Sequence, residues 1–350
     1  MSQDIFKGIN IRELLEKREE ETLSSFATLS KKSKGRRYYE EESSVRTIFQ
    51  KDRDKILNSL SFRLLKHKTQ VFISTTGEIF RTRLTHTLEV AQVSRVICQG
   101  LGLNIDLAEA IALGHDLGHT PFGHTGEEVL NELSSKGFRH SEQSLRVVDF
   151  IENRGKGLNL TYEVRDGILK HSKGEASILD LYYKKGNIPE PETLEGEVVQ
   201  YSDWIAYINH DIDDAFNMGL IKREDLPEGI EEVLGKNFHS RIETILRDII
   251  TNSYGEKRIR MSYKVLEAME RLREFLYDKV YVHPVITKRE DKAKRILTTL
   301  FEYYSKNIDR ILKKYPFFES EEEERIVVDY IAGLTDREAE EEYNLVNSEQ

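Results

Sequence analysis

The segment Gly114-His115-Asp116-Leu117-Gly118-His119-Thr120-Pro121-Phe122-Gly123-His124 holds three of the ten histidines, one carboxylate and three glycines. A single histidine on an apolar face is ordinarily a core residue. An acidic neighbour shifts that balance, because a carboxylate is costly to bury unless a cation meets it. His115 and His119 are four apart and share a face if the helix persists that far. The glycines let the backbone approach a ligand closely. Upstream, His86 lies on the same helical face as Val90, Val93 and Ile97, so it points inward. Downstream, Asp203, Tyr207 and Asp211 recur every four residues as a polar ridge. Two imidazoles, His86 and His115, with two carboxylates, Asp116 and Asp203, make a mixed nitrogen and oxygen set suited to a divalent cation. Such a set leaves coordination positions for water and substrate oxygens. A competing reading takes His115 to His119 as a zinc-protease helix with Asp116 as base. Gly118 weakens that helix, and no downstream ligand has suitable spacing.

The elements that must position these residues are helical. Apolar residues recur at threes and fours over Arg46–Gln70, Thr82–Gln99, from Asn104 or Asp106 to His115, Gly126–Ser135 and Ser141–Asn153. The pattern resumes over Val198–Phe216, Glu231–Thr251, Lys264–Tyr277 and Lys292–Lys313. A short β-prone piece is expected at Val71–Ser74 with a turn near Gly77. The stretch from Lys173 to Glu197, rich in Lys, Gly, Pro and Glu, reads as an insertion or lid. The residues before 46 read as a partly mobile arm whose basic cluster, Lys31 to Arg37, is either solvated or contacts an anion or a subunit. The expected division is an arm over 1–45, a catalytic core over 46–217 with the insertion at about 173–197, and a C-terminal helical region over 218–350.

Charge and composition remove several classes. The 350 residues carry a net charge of −10, and the segment from Phe318 onward holds 12 acidic and two basic residues. The body before it is therefore neutral, and the acid is a property of one end. The tail from Arg325 to Arg337 is expected to dock as a helix, with Glu319–Glu324 and the stretch beyond Glu338 left as solvated acid. No run of about 18 apolar residues exists, so no membrane span is expected. Met1–Asn10 lacks the apolar core of a secretory signal. The single cysteine, Cys98, fits a reducing cytosol, and a cytoplasmic location is expected.

The order His86, His115-Asp116, Asp203 resembles the HD-domain metal-dependent phosphohydrolases, and the surrounding words are similar to their bacterial deoxyguanosine-triphosphate and dNTP triphosphohydrolase branch. The words are Lys68-Thr69-Gln70-Val71-Phe72, Arg81-Thr82-Arg83-Leu84-Thr85-His86, the stretch from His115 to Glu127, Gly137 to Ser144, Gly157 to Thr161, Asp203 to Asp214 and Asp329 to Asp336. The resemblance implies an all-α HD fold and hydrolysis of a dNTP to deoxynucleoside and triphosphate. It implies that His86, His115, Asp116 and Asp203 hold the metal, with magnesium or manganese first and iron, cobalt, nickel or zinc as further candidates. His124 and Glu127 match the family's catalytic pair, and their spacing makes a mutual hydrogen bond feasible. His119 would contact the α-phosphate and Arg83 the phosphates. Gln70 and Val71 would touch the sugar, Tyr207 would pack on the deoxyribose, and Asp211 would accept from the 3′-hydroxyl. His140 matches a further active-site histidine. A homo-oligomer, hexamer or tetramer, and an allosteric dNTP are implied partners.

Three positions depart from the family pattern: Arg63-Leu64-Leu65 where a second arginine is usual, Ile48 where proline is common, and Arg337-Glu338 where an aromatic is expected. They bear on subunit contacts and C-terminal packing. His171 stands as a pocket-lining candidate and His283 as a structural one. Asp213 and Asp214 read as a capping or solvated pair, while Cys98 and Trp204 read as core. Two other functions remain open: another HD-superfamily nucleotide phosphohydrolase or phosphodiesterase, and a nucleotide-binding regulator without turnover. Nucleic acid is not an expected partner, since a Walker loop, zinc-finger spacing and an RNP-like aromatic stretch are all lacking. Some relatives do meet single strands, and the basic arm alone argues for it.

Overall fold

In the computed structural model, which describes residues 10–71, 81–172, 174, 176–183, 188 and 190–349, helices carry the chain. Among the described residues the only extended pairings are two isolated bridges, Arg36 with Thr161 and Thr69 with Thr82. The all-α expectation is met. In chain order the main helices are α1 (Ile11–Thr22), α2 (Ile48–Leu57), α3 (Arg83–Leu101), α4 (Ile105–Gly114), α5 (His124–Leu133), α6 (His140–Arg146), α7 (Tyr162–Lys170) and α8 (Leu194–Asn217). They continue with α9 (Phe238–Ser253), α10 (Tyr263–Leu276), α11 (Pro284–Lys306), α12 (Glu323–Gly333) and α13 (Asp336–Glu349). No helix among the described residues is long and apolar enough to cross a membrane.

Side-chain caps start the site-bearing helices. Thr82 accepts from the Thr85 N–H at the head of α3, Asn104 from Leu107 at α4, and Thr193 from Gly196 at α8. Asn104 is thus the cap of α4, and Asp106 instead takes Gln50 and Arg53. Helix α8 runs through the middle of the domain with Trp204, Ile205, Ile208 and Ile212 fully buried, packed on α3 and α4. Trp204 and Cys98 are core, as expected. A second apolar core surrounds α11, α12 and α13, and Phe122, Val129, Leu130 and Phe138 insert into it from α5 and the segments flanking it.

Five expectations are corrected. Residues 10–45 are not a solvated arm. Helix α1 buries Glu16 against Arg12 at 2.8 Å, and Arg36 is enclosed by Asp52, the Asn159 carbonyl at 2.6 Å and the Ile48 carbonyl at 3.2 Å. Asp52 is itself fully buried and accepts from the Thr161 N–H and hydroxyl at 2.8 and 2.7 Å. Within the basic cluster Lys31 meets Glu20 at 3.3 Å and Lys34 meets Glu192, and both lysines stay largely exposed. The stretch beyond Glu338 is likewise no free tail. It forms α13, which buries Ala339 and Val346, seven residues apart on one face, while Glu342 accepts from the Tyr330 hydroxyl at 2.9 Å and from Tyr304. Within the acid before it, Glu324 accepts from Ser134 and Ser135.

The expected insertion ends early, because Leu194–Glu197 is already the first turn of α8 and Glu195 is fully buried, accepting from the Thr28 and Asn104 N–H groups. Asp213 and Asp214 neither cap nor float; both hold Arg81. The β-prone piece beyond Val71 and the turn at Gly77 lie outside the described residues. The helix expected over Ser141–Asn153 stops at Arg146 and passes into a π-helical turn, Val147–Ile151.

Candidate metal centre and active site

Three elements converge on one point. His86 projects from the first turns of α3, His115 and Asp116 from the end of α4, and Asp203 from α8. His86 Nε2, His115 Nε2 and an Asp203 oxygen all lie within 4.8 Å of one another. Asp203 Oδ1 is 3.1 Å from His86 Nε2 and 4.0 Å from His115 Nε2, and Asp116 Oδ1 is 3.3 Å from His115 Nε2. The four residues selected from sequence are therefore neighbours.

The tautomer of His115 follows from its surroundings. Its Nδ1 lies 2.6 Å from the Ala112 carbonyl, which can only accept, so Nδ1 carries the hydrogen and Nε2 is a bare acceptor. That Nε2 is buried without a hydrogen-bond partner, and burial pulls the His115 pKa down. A buried, deprotonated imidazole nitrogen facing two carboxylates is a donor set that a divalent cation fits. His86 is steered in the same way: its Nδ1 is 2.9 Å from His210 Nε2, and His210 Nδ1 is 2.8 Å from the Asp211 carboxylate. Burial would raise the pKa of both carboxylates, Asp116 and Asp203. The Arg83 guanidinium at Asp116 and the hydrogen bond with His86 at Asp203 overcome this, so both are held well below the usual range.

Beside this centre lies a second group. Arg83, buried at 2 % exposure, donates to Asp116 Oδ2 at 2.8 Å and to the carbonyls of Thr69 and Gln70 at 3.2 and 3.3 Å. His119 Nε2 is 3.3 Å from Asp116 Oδ1, and its Nδ1 is buried with no partner. His119 stacks on His140, centroids 4.0 Å apart and planes 13° apart. His124, at the first position of α5, is 68 % exposed at its side chain.

The expected bond between His124 and Glu127 is not made: the atoms are 3.9 Å apart, beyond hydrogen-bond range. Glu127 accepts instead from His140, at its backbone N–H (2.9 Å) and at Nδ1 (2.8 Å). His140 Nε2 faces His171 Nε2 at 3.1 Å, while His171 Nδ1 donates to the Ile168 carbonyl at 2.7 Å. Burial pushes the His171 pKa down to about 3, so its ring is neutral and its Nε2 accepts. His140 then donates from both nitrogens and is an imidazolium. Burial opposes that charge, and the Glu127 carboxylate overrides it and raises the His140 pKa. Glu127→Gln is accordingly expected to move the His140 titration midpoint to lower pH, read by NMR of the ring; an unmoved midpoint would contradict this pairing.

The substrate residues inferred from sequence divide. Gln70 is buried beside Arg83, and Val71 packs half-buried on the core edge. Tyr207 is half-buried one helical turn beyond Asp203. Asp211 does not face outward: it is buried, and its Oδ2 accepts from the Tyr281 hydroxyl at 2.5 Å. His283 is structural, accepting from Val285 N–H at the start of α11. His171, His210 and Tyr281 belong to the site surroundings. Of these, the sequence offered a hint for His171 alone.

Two glycines set how closely the parts meet. A Cβ on Gly118 would stand 2.1 Å from the Ser144 nitrogen and 2.7 Å from the His140 carbonyl oxygen. Gly123 follows Phe122, and both have φ of +61°. A left-handed Phe is a strained backbone, of order 1–3 kcal/mol.

Residues 83–208, which contain His86, His115, Asp116 and Asp203, match the HD domain model, and residues 259–345 match the phosphohydrolase-associated domain. A protein of Caldanaerobacter subterraneus subsp. tengcongensis named "Deoxyguanosinetriphosphate triphosphohydrolase-like protein" is 53% identical over 330 residues, 94% of this chain and 93% of its own. Proteins of the same name from Desulfatibacillum aliphaticivorans and Clostridium tetani are 50% and 46% identical, covering 94% of this chain in each case and 95% and 93% of their own.

Proposed function

The chain belongs to the deoxyguanosinetriphosphate triphosphohydrolase-like family of HD-domain proteins, and from that premise we propose that it hydrolyses a deoxynucleoside triphosphate to the deoxynucleoside and intact triphosphate. The observation that carries the reading is the cluster of His86, His115 and Asp203, with Asp116 3.3 Å from His115 Nε2 and 3.9 Å from His86 Nε2, beside Arg83 and His119. These four residues would hold a divalent cation, magnesium or manganese in our reading, which supplies Lewis-acid stabilisation of the charge on the α-phosphate.

The chain's own groups do the rest. Arg83 is a fixed cation that offsets substrate charge, preorganised by the Thr69 and Gln70 carbonyls. The unpartnered His119 Nδ1 faces the α-phosphate, and imidazolium His140 lies stacked behind it as a further positive charge. His124, with its ring open to solvent, is placed to deliver a proton to the departing 5′-oxygen as water adds to the α-phosphorus. Tyr207 offers its ring to the deoxyribose from the turn after Asp203. The Glu127–His140–His171 chain fixes the second group, so Glu127 acts through His140 in this reading.

The test is incubation of the purified protein with each dNTP, alone and in mixtures, with magnesium or manganese, and identification of the products. Tripolyphosphate and deoxynucleoside are expected. Histidine 124 replaced by alanine (His124→Ala) should cut their release by about 10²–10⁴-fold, the usual worth of a general acid. Bound dNTP with no product, or release of pyrophosphate, would overturn the reading. Turnover confined to mixtures would reveal a second, activating nucleotide.

A further inference from the structure

The loop from His119 to Gly123 is gripped from the far end of the chain. Lys68, 3 % exposed, donates from Nζ to the His119 carbonyl at 2.6 Å and to the Ala332 carbonyl at 2.7 Å. Asp336 Oδ1 accepts from the Phe122 N–H at 2.9 Å. Its Oδ2 accepts from the Thr69 N–H at 3.0 Å and from the Thr69 hydroxyl. The Thr69 carbonyl in turn receives Arg83 Nε. One carboxylate therefore ties together the loop of His119 and His124 and the strap that orients Arg83.

Asp336 stands at the first position of α13, where a carboxylate would ordinarily serve its own helix. That service is already rendered. Thr335 and Glu338 form a reciprocal cap, Thr335 N–H donating to Glu338 at 2.8 Å and Glu338 N–H to the Thr335 hydroxyl at 3.2 Å. The Asp336 carboxylate is free for the loop, and the loop has need of it. Phe122 and Gly123 both have positive φ immediately before His124, a conformation that persists only where the surroundings over-determine it. The Phe122 ring is locked in the second core, the Thr120 hydroxyl donates to the Gly123 carbonyl at 2.9 Å, and Asp336 holds the Phe122 N–H between them.

We propose that Asp336, assisted by Lys68, is a positioning residue that sets the His119–His124 loop against the reacting phosphate. The inference rests on the roles given to His119 and His124 above. Neither Asp336 nor Lys68 touches the four metal-facing residues directly, so the defect on removing either should be one of placement. A displacement of about 1 Å in a catalytic group can cost on the order of 10²-fold in rate.

The experiment compares the full-length wild type with Asp336→Ala and Asp336→Asn by kinetics, manganese calorimetry and NMR of the histidine rings. Asp336→Ala should lower kcat by about 10- to 100-fold with KM changed less than about threefold, and manganese affinity should be unaltered. It should also shift the ring signals of His119 and His124 while that of His283, at the head of α11, stays put. Asp336→Asn keeps one acceptor and should fall between. Should the alanine variant fail to fold, the isosteric asparagine variant carries the same readings. Unshifted His119 and His124 rings, or an unchanged kcat in a folded variant, would overturn the proposal. A wild type that releases no tripolyphosphate would instead sink the functional reading, and the ring signals would still decide whether Asp336 sets the loop.

Discussion

Asp203→Asn should remove divalent-cation binding and dNTP hydrolysis together while leaving the protein folded. The asparagine has nearly the same shape, so what is lost is charge and one of the oxygens that approach His86 Nε2 at 3.1 Å and His115 Nε2 at 4.0 Å. Replacing an outer partner of a metal ligand typically costs 10–100-fold in affinity. Loss of a direct carboxylate should exceed that, and we expect manganese affinity to fall by more than about 100-fold. The side chain retains 23 % exposure, so its neutralisation leaves no deeply buried orphan and the thermal transition should remain cooperative. Calorimetric titration of manganese into wild type and variant, with product analysis on the same samples, checks both halves. Wild-type affinity in a folded Asp203→Asn protein would remove Asp203 from the cation set.

Gly118→Ala should be the most damaging single methyl group in the catalytic loop. The added Cβ would lie 2.1 Å from the Ser144 nitrogen, 2.4 Å from the Gln143 carbonyl carbon and 2.7 Å from the His140 carbonyl oxygen. All three are backbone atoms, so no side chain can swing aside. Helix α6 must retreat or the loop must bend. Overpacking a core usually costs about 1–3 kcal/mol, and this contact should lie at or above the upper end. Relaxation would also break the hydrogen bond from Gly118 N–H to the Ser144 hydroxyl (2.9 Å) and the one from that hydroxyl to the His115 carbonyl (2.6 Å). The His119–His140 stack would open with it. Thermal unfolding should show the lost stability, and residual hydrolysis should fall by about 10²-fold or more, as expected for misplaced catalytic groups. A variant with the wild-type transition and rate would mean that the α6 contact is looser than described.

The clustering of His86, His115, Asp116 and Asp203 was legible in the sequence because its signal is local. His115 and Asp116 are adjacent, His86 lies on an apolar helical face, and Asp203 begins a ridge at spacings of four. The helices that carry them, α3, α4 and α8, show their caps and their apolar periodicity. What escaped depends on which elements meet. Helix α1 has no apolar stripe to announce it, and it docks partly through Glu19, which accepts from the Ser30 N–H and hydroxyl. Helix α13 buries only two apolar side chains, Ala339 and Val346, along an acidic run, so its docking face is nearly invisible to a periodicity count. Glu127 lies three residues from His124 but pairs with His140, because the entry of α6 brings that imidazole closer than the helical neighbour. The Tyr281–Asp211 and His210–His86 contacts join residues that no spacing connects.

The grip of Asp336 on Phe122 has a consequence for how the protein comes into being. The two residues are 214 positions apart, and Lys68 and Ala332 are 264 apart. Contacts of such sequence separation form after their loops close and are slow to arrive. On the ribosome, the cation-facing histidines and aspartates have all emerged once residue 203 is out, so the centre can assemble while the loop beside it still lacks its tether. The tether itself can form only once α13 has emerged.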